Sequence, residues 1–167
     1  PVGGWWLILA GGTIAVAALA YSAGPYPLSY HGLGDLTVWI FFGLAAVNLS
    51  YYVQALTFDF DVFLCSAAMG LLSVNILIVN NYRDIDDDRA ARKHTTVVLF
   101  GRKFARTAYL TNGIVALLLV MKFWIVAGIA GFILPLAYLT AHIKSYRDMG
   151  KWFGRELNRV LGATARN

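Results

Sequence analysis

The residues Asn80-Asn81-Tyr82-Arg83-Asp84-Ile85-Asp86-Asp87-Asp88-Arg89 concentrate the chain's chemistry: four of its nine acids fall here. Asp84 and Asp88 are four residues apart, so a helix stacks their carboxylates one turn apart on one face. Asn80 adds an amide oxygen one turn earlier, and Asn81 lies beside it. Like charges at this spacing destabilise a bare helix by about 0.2–0.5 kcal/mol. A divalent cation between them reverses that sign. Carboxylate and amide oxygens are hard ligands suited to Mg²⁺, which keeps water and shares its coordination with substrate phosphates. Arg83, Arg89, Arg92 and Lys93 supply N–H donors for phosphate oxygens. The sharper expectation is therefore a Mg²⁺ and diphosphate site, with Asn80, Asn81, Asp84 and Asp88 as the metal-holding set. A plainer reading needs no metal: a solvated helix end closed by the i,i+4 ion pairs Arg83–Asp87 and Asp88–Arg92. Spacing alone leaves both readings open.

The elements that position this stretch are apolar. The chain has 167 residues, 59% hydrophobic and 14% charged, against about 25% charged in soluble domains. Its mean hydropathy is +0.61. That balance predicts the lipid bilayer as solvent. One cysteine, Cys65, excludes an internal disulfide, and three scattered histidines share no ligand spacing.

Charge-free or nearly charge-free runs predict five membrane spans, near 4–20, 36–56, 62–79, 108–121 and 123–140. The proline-broken segment Gly24-Pro25-Tyr26-Pro27 predicts a loop between the first two. A charged loop, 80–107, begins helical and follows the third span. Pro135 predicts a kink in the fifth. Polar Asn48, Ser50 and Gln54 in the second span are expected to face other helices or a cavity. Ser145 to Leu161 reads as one amphipathic helix lying in the membrane interface, with Trp152, Leu157 and Val160 opposite Lys151, Arg155 and Arg159. All 14 basic residues except Lys122 fall on one side of this layout. The positive-inside rule makes that side cytoplasmic, with the Asp-rich loop on it. The net charge of +5 reflects this bias, and no base-stacking or groove-reading motif accompanies it, so no nucleic-acid partner is expected.

Asn80-Asn81-x-Arg83-Asp84-x-x-x-Asp88-Arg89, then Lys93-x-Thr95 and Leu99-x-Gly101-Arg102, resembles the second Asp-rich motif of the UbiA superfamily of intramembrane aromatic prenyltransferases. Its Asn-Asn-x-Arg-Asp form resembles the 1,4-dihydroxy-2-naphthoate polyprenyltransferase branch. The segment Gly24-Pro25-Tyr26-Pro27-Leu28-Ser29-Tyr30-His31-Gly32-Leu33-Gly34-Asp35 is similar to a loop of that branch. The resemblance implies an all-α membrane protein: five helices of a nine-helix bundle spanning 1–167, plus the interfacial helix. It implies Mg²⁺-dependent transfer of a polyprenyl group from its diphosphate to the naphthoate, with decarboxylation, in menaquinone biosynthesis. Asp84 and Asp88 match the metal-binding, catalytic aspartates. Arg83, Arg89 and Lys93 would meet the diphosphate, and Tyr26, Tyr30 and Asp35 would come from the facing loop. The implied setting is the cytoplasmic membrane, crossed several times.

Several departures bear on this expectation. The superfamily's first Asp-rich motif is absent from these residues, as are its first three helices and its last. The piece alone is thus expected to be inactive without the remaining helices of a parent chain. Arg92 stands where the branch has Gly before Lys93, and Leu99 where an Arg is common. A hydroxybenzoate or chlorophyll-type acceptor is the alternative within the superfamily. A non-catalytic membrane fragment, or a carrier with a cation-coupled carboxylate pair, is the alternative outside it.

Overall fold

The computed structural model describes residues 3–167; Pro1 and Val2, the start of the 1–167 domain, lie outside the described residues. Among the described residues all regular structure is helical. Helix α1 is Trp6–Ser22. After a short 3₁₀ turn, Leu28–Tyr30, α2 runs from Gly34 to Ala55 with a π-helical stretch at Trp39–Ala45. The remaining helices are α3 Phe60–Arg83, α4 Ile85–Ala90, α5 Thr96–Leu119, α6 Met121–Val126, α7 Ala130–Met149 and α8 Asn158–Thr164.

Helix α3 is the central element, packed along α5 on one side and α2 on the other. Asp59 caps its start by accepting hydrogen bonds from the Asp61 and Val62 amides. Small residues let α2 approach closely. A Cβ on Gly43 would come 2.5 Å from the Gly70 Cα and 2.8 Å from the Ser66 carbonyl, so only glycine fits this crossing. Buried polar side chains then tie the helices together. The Trp39 indole donates to the Ala67 carbonyl at 3.1 Å, and Asn48 donates to the Ser66 hydroxyl at 2.7 Å. Asn75 donates to the Tyr109 carbonyl at 3.1 Å and accepts from Asn112. Asn48 and Asn75 thus bind helices to each other. Ser50 and Gln54 face outward, and the Gln54 amide donates to the Ser50 carbonyl.

Among the described residues, two helices have the length and hydropathy of membrane spans: α2, with 22 residues, and α3, with 24. The latter is about 36 Å long at 1.5 Å per residue. No residue of α1 is buried, and Ile125, Val126 and Ile129 are about 80% exposed, an apolar exterior suited to lipid or further helices. Lys122 pairs with Asp61 at 2.6 Å, which places the α2–α3 turn and the α5–α6 turn at one end of the bundle. The Asp-rich stretch lies at the other end of α3.

Three sequence expectations are revised. Most of the 80–107 loop is helical, because α5 begins at Thr96, where Thr95 caps it; its kink falls at Gly101, φ +83°. The fifth expected span is broken at Ala127–Ile129, where Gly128 has φ +61°, while α7 continues through Pro135. The segment 145–161 is not one interfacial helix. It breaks at Gly150 and at Gly154, φ +54°. Leu157 and Val160 turn back into the core against the α3 and α5 residues around Tyr82 and Tyr109.

Candidate active site

Helix α3 ends at Arg83, and Asp84 adopts φ −96°, ψ 14° between α3 and α4. The Asp88 amide still donates to the Asp84 carbonyl at 2.8 Å. The two carboxylates therefore keep their one-turn relation across the break. Asn80, Asn81, Asp84, Asp88 and Lys93 line one cavity of about 210 Å³. Asp35, Gly34, Ser29 and Tyr21 close it from the facing side, and Thr95 and Thr96 complete it.

Backbone pairing joins the two sides: the His94 amide donates to the Tyr30 carbonyl at 2.8 Å. Asp88 is buried and pairs with the Lys93 ammonium at 3.2 Å, which also lies 5.2 Å above the Tyr30 ring. Asp35 accepts from the Thr96 hydroxyl at 2.5 Å through Oδ2. Its Oδ1 is buried without a partner. A buried carboxylate oxygen costs free energy until a donor or cation meets it.

Neither ion pair of the plainer reading forms. Asp88 pairs with Lys93 and not Arg92, and Arg83 pairs with Asp84 and not Asp87. Arg83 grips both oxygens of Asp84, each at 2.6 Å. It reaches back to Asn80 Oδ1 and across to Asn158 Oδ1, both at 2.7 Å. Arg83 borders a different cavity, with Asp84, Asp87, Arg155 and Asn158.

Tyr30 and Arg83 lie outside the lining and touch it through neighbours, Tyr30 through Lys93 and Arg83 through Asp84 and Asn80. Two more residues of the expected set, Tyr26 and Arg89, stand apart from it. Tyr26 is 59% exposed, and its ring stacks on His31 with centroids 3.4 Å apart, beside the Pro25 and Pro27 turn. The Arg89 side chain is 59% exposed and pairs with Asp86. One residue past Asp88, it is rotated about 100° off the cavity face. Sequence reasoning missed Tyr21, Thr96 and Asn158. Only Thr96, adjacent to Lys93-x-Thr95, carried a local hint.

Among the described residues, no three His, Cys, Asp or Glu side chains form one metal-holding group. The available donors are two carboxylates and two amides on one wall, with Asp35 opposite. That set fits a hard cation which fills its other positions with water or phosphate oxygens. Three carboxylates against one lining ammonium leave the wall negative. Such a wall would repel a bare diphosphate, and a bound cation would offset that charge. Tyr21 also borders a second, apolar cavity of about 480 Å³, lined by Ile14, Ala17, Val38, Phe41 and Phe42.

The model of the UbiA prenyltransferase family matches residues 2–152. The 1,4-dihydroxy-2-naphthoate octaprenyltransferase of Mycobacterium tuberculosis is 38% identical over 95% of this chain and 54% of its own length. The enzyme of the same name from Escherichia coli is 42% identical over 59% of this chain and 32% of its own. The 2-carboxy-1,4-naphthoquinone phytyltransferase of Synechocystis is 27% identical over 89% of this chain and 48% of its own. The chain spans about half the length of the first of these relatives, and no solved structure gives a significant match. With the family model covering most of its residues, the chain belongs to the UbiA prenyltransferase family.

Proposed function

We propose that this chain carries the diphosphate-handling part of a membrane prenyltransferase. The enzyme moves a polyprenyl group from its diphosphate to 1,4-dihydroxy-2-naphthoate, with loss of the ring carboxylate, in menaquinone biosynthesis. The supporting observation is the single cavity that joins Asn80, Asn81, Asp84, Asp88 and Lys93 to Asp35 at one end of a membrane-length helix. The similarity to naphthoate prenyltransferases supports the choice of acceptor.

Asn80, Asn81, Asp84 and Asp88 would hold Mg²⁺, which when bound would supply positive charge against the charge that builds on the departing diphosphate. Lys93 donates to a phosphate oxygen. Asp35 Oδ1 accepts a hydrogen bond from the aromatic hydroxyl and keeps the ring over the allylic carbon. The apolar cavity beyond Tyr21 takes the hydrocarbon chain and keeps water from the allylic cation. An Asp-rich motif outside these residues would complete the phosphate site. The site faces the cytoplasm from a multi-pass position in the cell membrane.

The test uses membranes holding the full-length parent of this chain, supplied with polyprenyl diphosphate, dihydroxynaphthoate and Mg²⁺. Asp84→Ala and Asp88→Ala each lower turnover by at least a hundredfold. Turnover equal to the unmodified protein in both variants would refute the site. Equal or better transfer to 4-hydroxybenzoate would refute the acceptor.

A further inference from the structure

We infer that Arg83 is a positioning residue, anchored by Asn158, that aims Asp84 and Asn80 together at the cation, and is not a ligand of the diphosphate. This rests on the site assignment above and changes what one of its cations does.

An arginine has five N–H donors in a planar fork. Four hydrogen bonds are already made within the protein. Nε and Nη2 donate to the two Asp84 oxygens, Nη2 donates also to Asn80 Oδ1, and Nη1 donates to Asn158 Oδ1. Arg83 is absent from the wall shared by Asp88 and Lys93, and opens instead on the cavity behind Asp84. Each oxygen it binds keeps a further lone pair, so Asp84 and Asn80 can ligate a cation while Arg83 holds them. One guanidinium thereby fixes the rotamers of two candidate ligands one turn apart. Such outer partners typically change metal affinity 10–100-fold when removed.

Asn158 is what keeps the fork from turning with its own helix. The other three contacts are to residues within three positions in sequence, whereas Asn158 comes from α8, 75 residues away. It lies beyond the 2–152 stretch matched by the family model. Burial of Leu157 and Val160 on either side fixes the position of α8.

Charge and geometry make opposite predictions, which gives the test its sign. Removing a positive charge beside a cation site tightens cation binding by Coulomb's law alone. Removing a positioning fork weakens it. The probe is Mn²⁺ alone, without diphosphate, titrated by electron paramagnetic resonance into the purified full chain in lipid nanodiscs. Arg83→Gln and Arg83→Lys should both bind Mn²⁺ about tenfold more weakly, because lysine keeps the charge and loses the fork. Asn158→Ala should move the same way by about threefold, with an unchanged melting temperature. Unaltered or tighter Mn²⁺ binding in Arg83→Gln would overturn the inference, as would Arg83→Lys behaving like the unmodified chain. Should the Arg83 variants not fold, Asn158→Ala decides: no change in Mn²⁺ affinity overturns the inference. An unmodified chain that binds no Mn²⁺ refutes the site assignment itself, a separate result.

Discussion

Arg92 shows how one residue departs from what its backbone asks for. Its φ of +55° is the left-handed conformation that costs a non-glycine residue about 1–2 kcal/mol. The side chain is exposed, and the turn is held by backbone bonds, Arg92 amide to Arg89 carbonyl and Lys93 amide to Asp88 carbonyl. Arg92→Gly should raise unfolding stability by about 0.5–1 kcal/mol, once the greater backbone freedom of glycine is subtracted; chemical unfolding in detergent measures it. Asp35 and Thr96 give a second case. Thr96→Val leaves a buried carboxylate with neither oxygen bonded. The expected loss is about 1–3 kcal/mol, and Asp35→Leu combined with Thr96→Val should recover much of it, since no buried polar group is then unpaired. Recovery of stability without recovery of transfer would separate the structural from the chemical role of Asp35. At this scale the sequence was most readable where partners are near in the chain. Asp84, Asp88 and Asn80 share a face by helical spacing alone. Asp35–Thr96 and Arg83–Asn158 join residues 61 and 75 positions apart, and no periodicity reports such pairs.

Helices α2 and α3 meet at Gly43 and Gly70 with backbone in contact, and this crossing aligns Asp35 with the end of α3. A methyl group at Gly43 meets the backbone of Gly70 and Ser66, which cannot rotate aside. Gly43→Val should cost about 1–3 kcal/mol and reduce diphosphate binding together with stability, as both depend on the same helix separation. Lys122→Ala breaks an exposed pair with Asp61 and should change stability by less than about 1 kcal/mol. The apolar runs announced these helices well in their middles and poorly at their ends. Thr95 capping extended α5 backward into what hydropathy marked as loop, because Arg102, Lys103 and Arg106 lower the local hydropathy without breaking a helix. The C-terminal segment failed for a different reason. Its apolar stripe is real, but the helix ends at Gly150, and Gly154, at φ +54°, lets the chain fold back, so Leu157 and Val160 bury against protein and not against lipid.

Across the whole molecule, charge and burial divide along the axis of α3. The Asp61–Lys122 pair marks one end and the acidic cavity the other, about 36 Å apart along the helix. An apolar, exposed exterior surrounds the part between them. We propose that the acidic end faces the cytoplasm, because all basic residues but Lys122 lie on that side, and the measurement of sidedness is direct. In a Cys65→Ser background, Arg89→Cys should react with impermeant maleimide only from the cytoplasmic face, and Thr57→Cys only from the opposite one. The central claim is that Asp84 and Asp88 draw a polyprenyl diphosphate into the cavity through Mg²⁺. Its most direct test is diphosphate binding by the full chain in lipid nanodiscs, titrated with and without Mg²⁺. Binding should depend on Mg²⁺ and weaken at least a hundredfold in the Asp84→Asn, Asp88→Asn double variant. Binding of equal strength in that variant, or binding indifferent to Mg²⁺ in the unmodified chain, would contradict that claim.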